Sequence, residues 1–132
     1  MTWASLQTEE VVHLQVGSTR IETTVEEVSG VPVVKVAGEV DAFTTPNLRA
    51  TMESVIDAGA RDLIIDLSGV SYMDSSGFGT LLGITKRVRP MGGKVCLLGY
   101  SDTIQRMLRI TRLDTVFILC TSIDEAIMAV KG

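Results

Sequence analysis

The chain is poor in the residues on which most enzyme and metal chemistry depends. Its 132 residues include one histidine, His13, and two cysteines, Cys96 and Cys120. A structural zinc site takes four ligands, and these cysteines form no CxxC pair, so no zinc set assembles. His13 lies in a polar N-terminal segment, which removes most Ser-His-Asp and Cys-His nucleophile arrangements. The cysteines fall in the apolar, strand-like runs Val95-Cys96-Leu97-Leu98 and Val116-Phe117-Ile118-Leu119-Cys120 and read as two buried free thiols. No apolar run approaches the roughly 20 residues that span a bilayer. The start, Met1-Thr2-Trp3-Ala4-Ser5-Leu6, lacks the basic and apolar regions of a signal peptide. A net charge of −4 is the wrong sign for a surface that neutralises phosphates. These absences predict a soluble, cytoplasmic protein with neither a nucleic acid nor a membrane as partner.

What is present is a well-patterned globular sequence. Hydrophobic residues make up 45% and charged residues 21%, a balance that supports one buried core rather than disorder. Residues 21–27 alternate apolar and polar, Ser29-Gly30 supplies a turn, and residues 31–37 continue as a second strand, predicting an antiparallel hairpin with Pro32 near a strand end or on an edge. Thr45-Pro46 reads as a hydroxyl N-cap with proline at the first helical position. Leu48, Met52, Val55 and Ile56 then follow at helical spacing, and Gly59 supplies the stop. Residues 63–67 form a continuous apolar run, the pattern of a strand covered on both faces. After the Asp74-Ser75-Ser76-Gly77 turn, Leu81, Leu82, Thr85 and Val88 mark a second helix that Pro90 and Gly92-Gly93 end. Residues 94–98 are another buried strand. Ser101 or Asp102 caps a third helix with the stripe Ile104, Met107 and Leu108. Residues 116–119 form a last strand, and Ser122 caps a terminal helix carrying Ala126, Ile127 and Val130. Alternating helices and strands after the hairpin imply right-handed crossovers and parallel pairing. The expected class is α/β: one domain over residues 19–132 with a small mixed sheet and about four helices. Residues 1–18 fit this scheme least and read as an N-terminal extension, an extra strand or a mobile arm hinged at Gly17-Ser18. Trp3 reads either as an anchor of that arm on the body or on a second subunit, which would make a homodimer, or as an exposed tail residue.

Two stretches stand where chemistry could sit. The run Ser71-Tyr72-Met73-Asp74-Ser75-Ser76-Gly77-Phe78-Gly79 lies between a buried strand and an amphipathic helix. In a parallel α/β unit such loops gather at one end of the sheet, where ligands and partners dock. A helix start there also offers unpaired N–H groups and about half a positive charge. The bland reading is that Asp74 or Ser75 is an N-cap and the glycines permit a tight turn. Gly77-Phe78-Gly79 begins like a dinucleotide-binding loop, but the third glycine comes one residue too late and no ribose-binding acid follows. No Walker sequence or G-x-S-x-G elbow is present, so no catalytic residue is assigned. The second stretch, Gly38-Glu39-Val40-Asp41-Ala42-Phe43-Thr44-Thr45-Pro46, ends another apolar strand. Parallel neighbours would bring Asp41 and Asp74 to one sheet end. Two lone carboxylates are a thin ligand set for magnesium, and turn-forming Asp is common, so the expectation is no metal and no cofactor.

In that order and spacing, Gly38-Glu39-Val40-Asp41 with Thr45-Pro46, then Tyr72-Met73-Asp74-Ser75-Ser76-Gly77-Phe78-Gly79, then Gly92-Gly93-Lys94-Val95, resemble a STAS domain. The match runs from about residue 21 to 130 and is nearest to the bacterial anti-sigma-factor antagonists. The resemblance implies a partner switch. The unphosphorylated antagonist binds an anti-sigma factor that is also a serine kinase, and so releases a sigma factor. The kinase then phosphorylates the serine directly after the motif Asp, and a phosphatase resets the protein. By position the implied phosphoacceptor is Ser75, with Ser76 as the second choice, and Asp41, Asp74, Ser76 and Gly77 fall on the implied partner-binding surface. ATP and magnesium would belong to the kinase. Alternatives are a STAS module of another partner-switching pathway, controlling a phosphatase, a cyclase or secretion, and a small-ligand or nucleotide-binding STAS domain. The chain departs from the family pattern at Arg112, where a glycine often precedes the leucine, and at Phe78, where leucine is commoner.

Overall fold

The computed structural model describes residues 20–132. The expected N-terminal extension at 1–18, with Trp3 and His13, lies outside the described residues. Two strands open the fold, β1 (Ile21–Val28) and β2 (Val31–Val40), followed by α1 (Thr45–Asp57), β3 (Leu63–Met73) and α2 (Ser75–Val88). Then come β4 (Val95–Leu98), α3 (Asp102–Ile110), β5 (Ile118–Leu119) and α4 (Ile123–Lys131). The five strands form one sheet in the order β1-β2-β3-β4-β5. β1 pairs antiparallel with β2, and every later pairing is parallel, as the hairpin followed by crossovers predicts.

Strand alternation distributes side chains between two cores, one on each face of the sheet. Val34, Val36, Leu63, Ile65, Leu67 and Leu97 face α1, α2 and α3, packing on Leu48, Met52, Phe78, Leu81, Ile84 and Leu108. Val31, Val33, Ile64 and Cys96 face the other way, against Ala126 and Val130 of α4. The central run at 63–67 is continuously apolar because its strand is covered on both sides. Cys96 and Cys120 are buried free thiols with their sulfurs 2.7 Å apart.

Several local details differ from the pattern-based reading. The N-cap of α1 is Thr44, not Thr45, with proline in the first turn. Thr44 Oγ1 is held instead by the preceding turn, donating to Glu39 O and accepting from Asp41 N. On α2 it is Ile84, not Leu82, that completes the buried face with Leu81, Thr85 and Val88. Ser101, rather than Asp102, caps α3, accepting from Ile104 N. The last strand contracts to two residues because Leu113–Thr115 forms a 3-10 turn that carries Val116 out of the sheet. Ser122 caps α4 as expected.

Candidate functional site

Register delivers the two marked stretches to the same place. β2 and β3 slip twice against each other, between Lys35 and Ala37 and between Gly38 and Glu39, so that Val40 ends opposite Met73. The first amide after β3, Asp74 N, still donates to Val40 O at 3.1 Å. Asp41 and Asp74 therefore leave the C-terminal edge of the sheet side by side, one entering the α1 turn and the other starting α2.

Asp74 is the N-cap of α2. Its Oδ1 accepts from Ser76 N at 2.9 Å, from Gly77 N at 3.4 Å and from the Ser76 hydroxyl. The Ser76 hydroxyl bond, then the Ser76 and Gly77 amides, hold the Asp74 carboxyl below its ordinary range against an opposing burial effect. Ser76 is thus half-buried and tied down. Ser75, the first residue of α2, is exposed, and among the described residues its hydroxyl makes no hydrogen bond. Two adjacent serines of identical chemistry are separated by what holds them. Gly77 has no room for a side chain: a Cβ there would lie 2.6 Å from Met73 Cγ and 2.8 Å from Val40 Cγ1. Its role is to let α2 start tight against the ends of β2 and β3, and it is buried rather than part of an open surface.

Asp41 is a turn residue with a charged partner. Its Oδ1 accepts from Phe43 N at 2.9 Å and Thr44 N at 3.1 Å, while Oδ2 meets Arg20 Nη2 at 3.1 Å. Arg20 also pairs with Glu39 at 2.8 Å. No group of three or more His, Cys, Asp or Glu residues positioned to hold a metal occurs among the described residues.

The site includes residues that the sequence reading did not single out. A cleft of about 540 Å³ runs from Ser75 to α3, lined by Ser71, Tyr72, Asp74, Ser101, Thr103 and Met107 among others. Tyr72 is 55% exposed and Met107 39%, and Phe43 in the neighbouring turn is 75% exposed. Helical spacing predicts Met107 on the buried stripe with Ile104 and Leu108; it lies instead on the cleft side of α3. For Tyr72 the signal is an aromatic side chain off the buried positions of its strand; Met107, at core spacing, carries no such signal. Along α2, Gly79 and Gly83 follow Ser75 at intervals of four and leave a smooth outer row, with nothing within 4 Å of where their Cβ atoms would stand. Among the described residues, no helix is long and apolar enough to cross a membrane.

Comparison with known proteins agrees with this architecture. The STAS domain family model matches residues 22–126. The anti-sigma-B factor antagonist of Staphylococcus aureus is 40% identical over 80 residues, covering 61% of this chain and 74% of that protein. The crystal structure of an anti-sigma factor antagonist from Mycobacterium paratuberculosis superposes with a TM-score of 0.77 at 32% identity, covering 85% of this chain and 95% of that one. The Bacillus antagonist SpoIIAA, solved in unphosphorylated and phosphorylated forms, gives TM-scores of 0.66 and 0.64 at 27% identity. Those alignments cover 83% and 81% of this chain, and 98% and 97% of SpoIIAA. With its mixed sheet, its Asp-capped α2 and a family match that spans most of its length, this chain belongs to the STAS-domain family.

Proposed function

We propose that this chain is an anti-sigma factor antagonist that works as a phosphorylation switch. In its unphosphorylated form it binds an anti-sigma factor with serine kinase activity and displaces the sigma factor. The kinase transfers the γ-phosphoryl group of ATP to Ser75 Oγ, releasing ADP, and a phosphatase later hydrolyses the ester. The observation that carries this reading is the Ser75 hydroxyl, exposed and unbonded at the start of α2, in a chain whose relatives are named antagonists. The same geometry favours Ser75 over Ser76, whose hydroxyl is held by Asp74.

A phosphate at Ser75 adds roughly −1.5 to −2 charges at neutral pH. The helix start tolerates them, because the dipole is favourable there. The Ser76 and Gly77 amides already serve Asp74, so the phosphate gains little from them and its charge stays directed outward. At an interface that charge lands beside the ionised Asp74, where desolvation and repulsion work against binding. A penalty of about 3 kcal/mol weakens an interface more than a hundredfold.

Phosphosite mapping on protein from native cells, paired with binding of Ser75→Ala and Ser75→Asp to the purified kinase, tests the proposal. Phosphate should map to Ser75, Ser75→Ala should bind like wild type, and Ser75→Asp should bind weakly with unchanged circular dichroism. A Ser75→Asp protein that binds as tightly as wild type would count against the charge mechanism. Phosphate found only on another residue would remove Ser75 from the role.

A further inference from the structure

The cleft beside Ser75 ends on a helix whose outer face nothing in the chain explains. α3 buries only Ile104 and Leu108. It turns Met107, 39% exposed, and Ile110, 68% exposed, to the outside. Arg106 and Arg109 on the same helix, and Arg112 just beyond it, are also exposed. None of these three arginines takes part in an ion pair among the described residues. In a chain of net charge −4, three cations within seven residues and without acidic partners mark a local reversal of sign. Helical spacing puts Thr103, Met107 and Ile110 on neighbouring rows, and Thr103 and Met107 line the cleft that Ser75 also lines. The surface is therefore continuous. It is acidic at the Ser75 end, where Asp74 and Asp102 stand, apolar at Tyr72, Met107 and Ile110, and basic at the far end of α3.

We infer that α3 is the orienting half of the partner interface, and that the occupant is an acidic, apolar-bearing surface of the anti-sigma factor. This rests on the reading of Ser75 as the switch. Phosphoryl transfer needs the acceptor hydroxyl seated in one register in the kinase site. A charge gradient along the docking surface supplies that register, because the reversed orientation places like charges together. Exposed apolar side chains between the charged ends supply the contact area that charge alone does not. The arginines thus select which anti-sigma factor is bound and which way round, while Ser75 decides whether it stays.

The experiment measures binding of each purified serine-kinase anti-sigma factor of the source organism to wild type, Arg106→Glu/Arg109→Glu, Ser75→Asp and Lys131→Glu. Lys131 is exposed at the end of α4, on the opposite face of the sheet from α3, and serves as the charge control. The double reversal should weaken binding at least tenfold and flatten its salt dependence, with Lys131→Glu unchanged. The milder Arg106→Ala/Arg109→Ala should act in the same direction. A lysine replacing an acidic residue of the partner should restore the affinity of the glutamate variant. If the double reversal binds like wild type while Ser75→Asp binds weakly, the α3 inference fails and the Ser75 switch stands. If wild type binds no anti-sigma factor, both fall. Self-association of wild type in sedimentation velocity that the double reversal abolishes would make a second copy of this chain the occupant, and would overturn the inference.

Discussion

Asp74, Ser75 and Ser76 divide labour through a single carboxylate. Capping of α2 needs an oxygen that accepts from the second and third amides of the helix, and Asp74 Oδ1 does this while also accepting the Ser76 hydroxyl. Ser75 projects past that arrangement and keeps its hydroxyl free. The cap therefore leaves one of the two serine hydroxyls free and holds the other. Asp74→Ala should lower the thermal midpoint through loss of the cap, and should release Ser76. Phosphosite mapping after reaction with the kinase is then expected to find phosphate on both serines, and on Ser75 alone in wild type. Exclusive labelling of Ser75 in Asp74→Ala would mean that the kinase, and not the Asp74 bond, makes the choice. Asp41 acts differently: its turn bonds and its pairing with Arg20 shape the neighbouring loop, and it offers less free charge than its place in the motif implied.

Among the elements, α2 is built with two faces of opposite tolerance. Its inner face is full: Gly77 abuts Met73 and Val40, and Phe78, Leu81 and Ile84 are buried in the larger core. Its outer row carries glycines that packing within this chain does not require. A glycine inside a helix costs up to about 1 kcal/mol relative to alanine, so this row gives up stability for smoothness, as a partner docked beside Ser75 in the proposed switch would require. Gly79→Ala should raise stability by up to about 1 kcal/mol in urea unfolding and leave binding of the anti-sigma factor intact. Gly79→Arg should keep the fold and weaken binding at least tenfold. Equal binding by both variants would place the partner elsewhere. Periodicity made α2 legible as a helix, because Leu81, Thr85 and Val88 recur on one stripe. It could not separate Leu82 from Ile84, since both flank that stripe and only the crossing of α2 over the sheet decides which one is covered. The α1 cap lies one residue before the position that sequence predicts, for a related reason. Thr44 and Thr45 are equally good hydroxyls in sequence, and the bond from Thr44 to Glu39 O depends on the turn that Asp41 makes. Arg112 is the opposite case. Its backbone is left-handed, φ 64°, a conformation that favours glycine, so the departure from the family pattern there marks a real local strain.

At the scale of the whole molecule the sheet separates two packed faces. The face covered by α1, α2 and α3 carries Ser75, the cleft and the arginine row. The face covered by α4 carries the two thiols, on the other side of the sheet from Ser75. The pairing order of the strands was legible because the hairpin and the central apolar run each allow one arrangement; the cleft was not, because it forms only where β3, α2 and α3 converge. Burial pushes the Cys96 thiol up, with its neighbour Cys120 adding to the shift, and burial raises Cys120 as well. A thiol in the unfolded chain ionises near 8.5. Below that pH both states hold the proton and stability is independent of it. Above it the unfolded state releases protons that the folded state keeps, so stability falls as pH rises, by up to about 1.4 kcal/mol per pH unit for Cys96. Urea unfolding at pH 7, 8.5 and 10 should show this decline, and Cys96→Ala/Cys120→Ala should show a shallower one from a lower starting stability. Because the thiols lie on the α4 face, folded protein at pH 9 should bind the anti-sigma factor with the affinity it has at pH 7.5, once the partner's own titration is subtracted. A parallel loss of affinity and stability over that range would mean that the two faces of the sheet are coupled, and that the α4 face takes part in the switch.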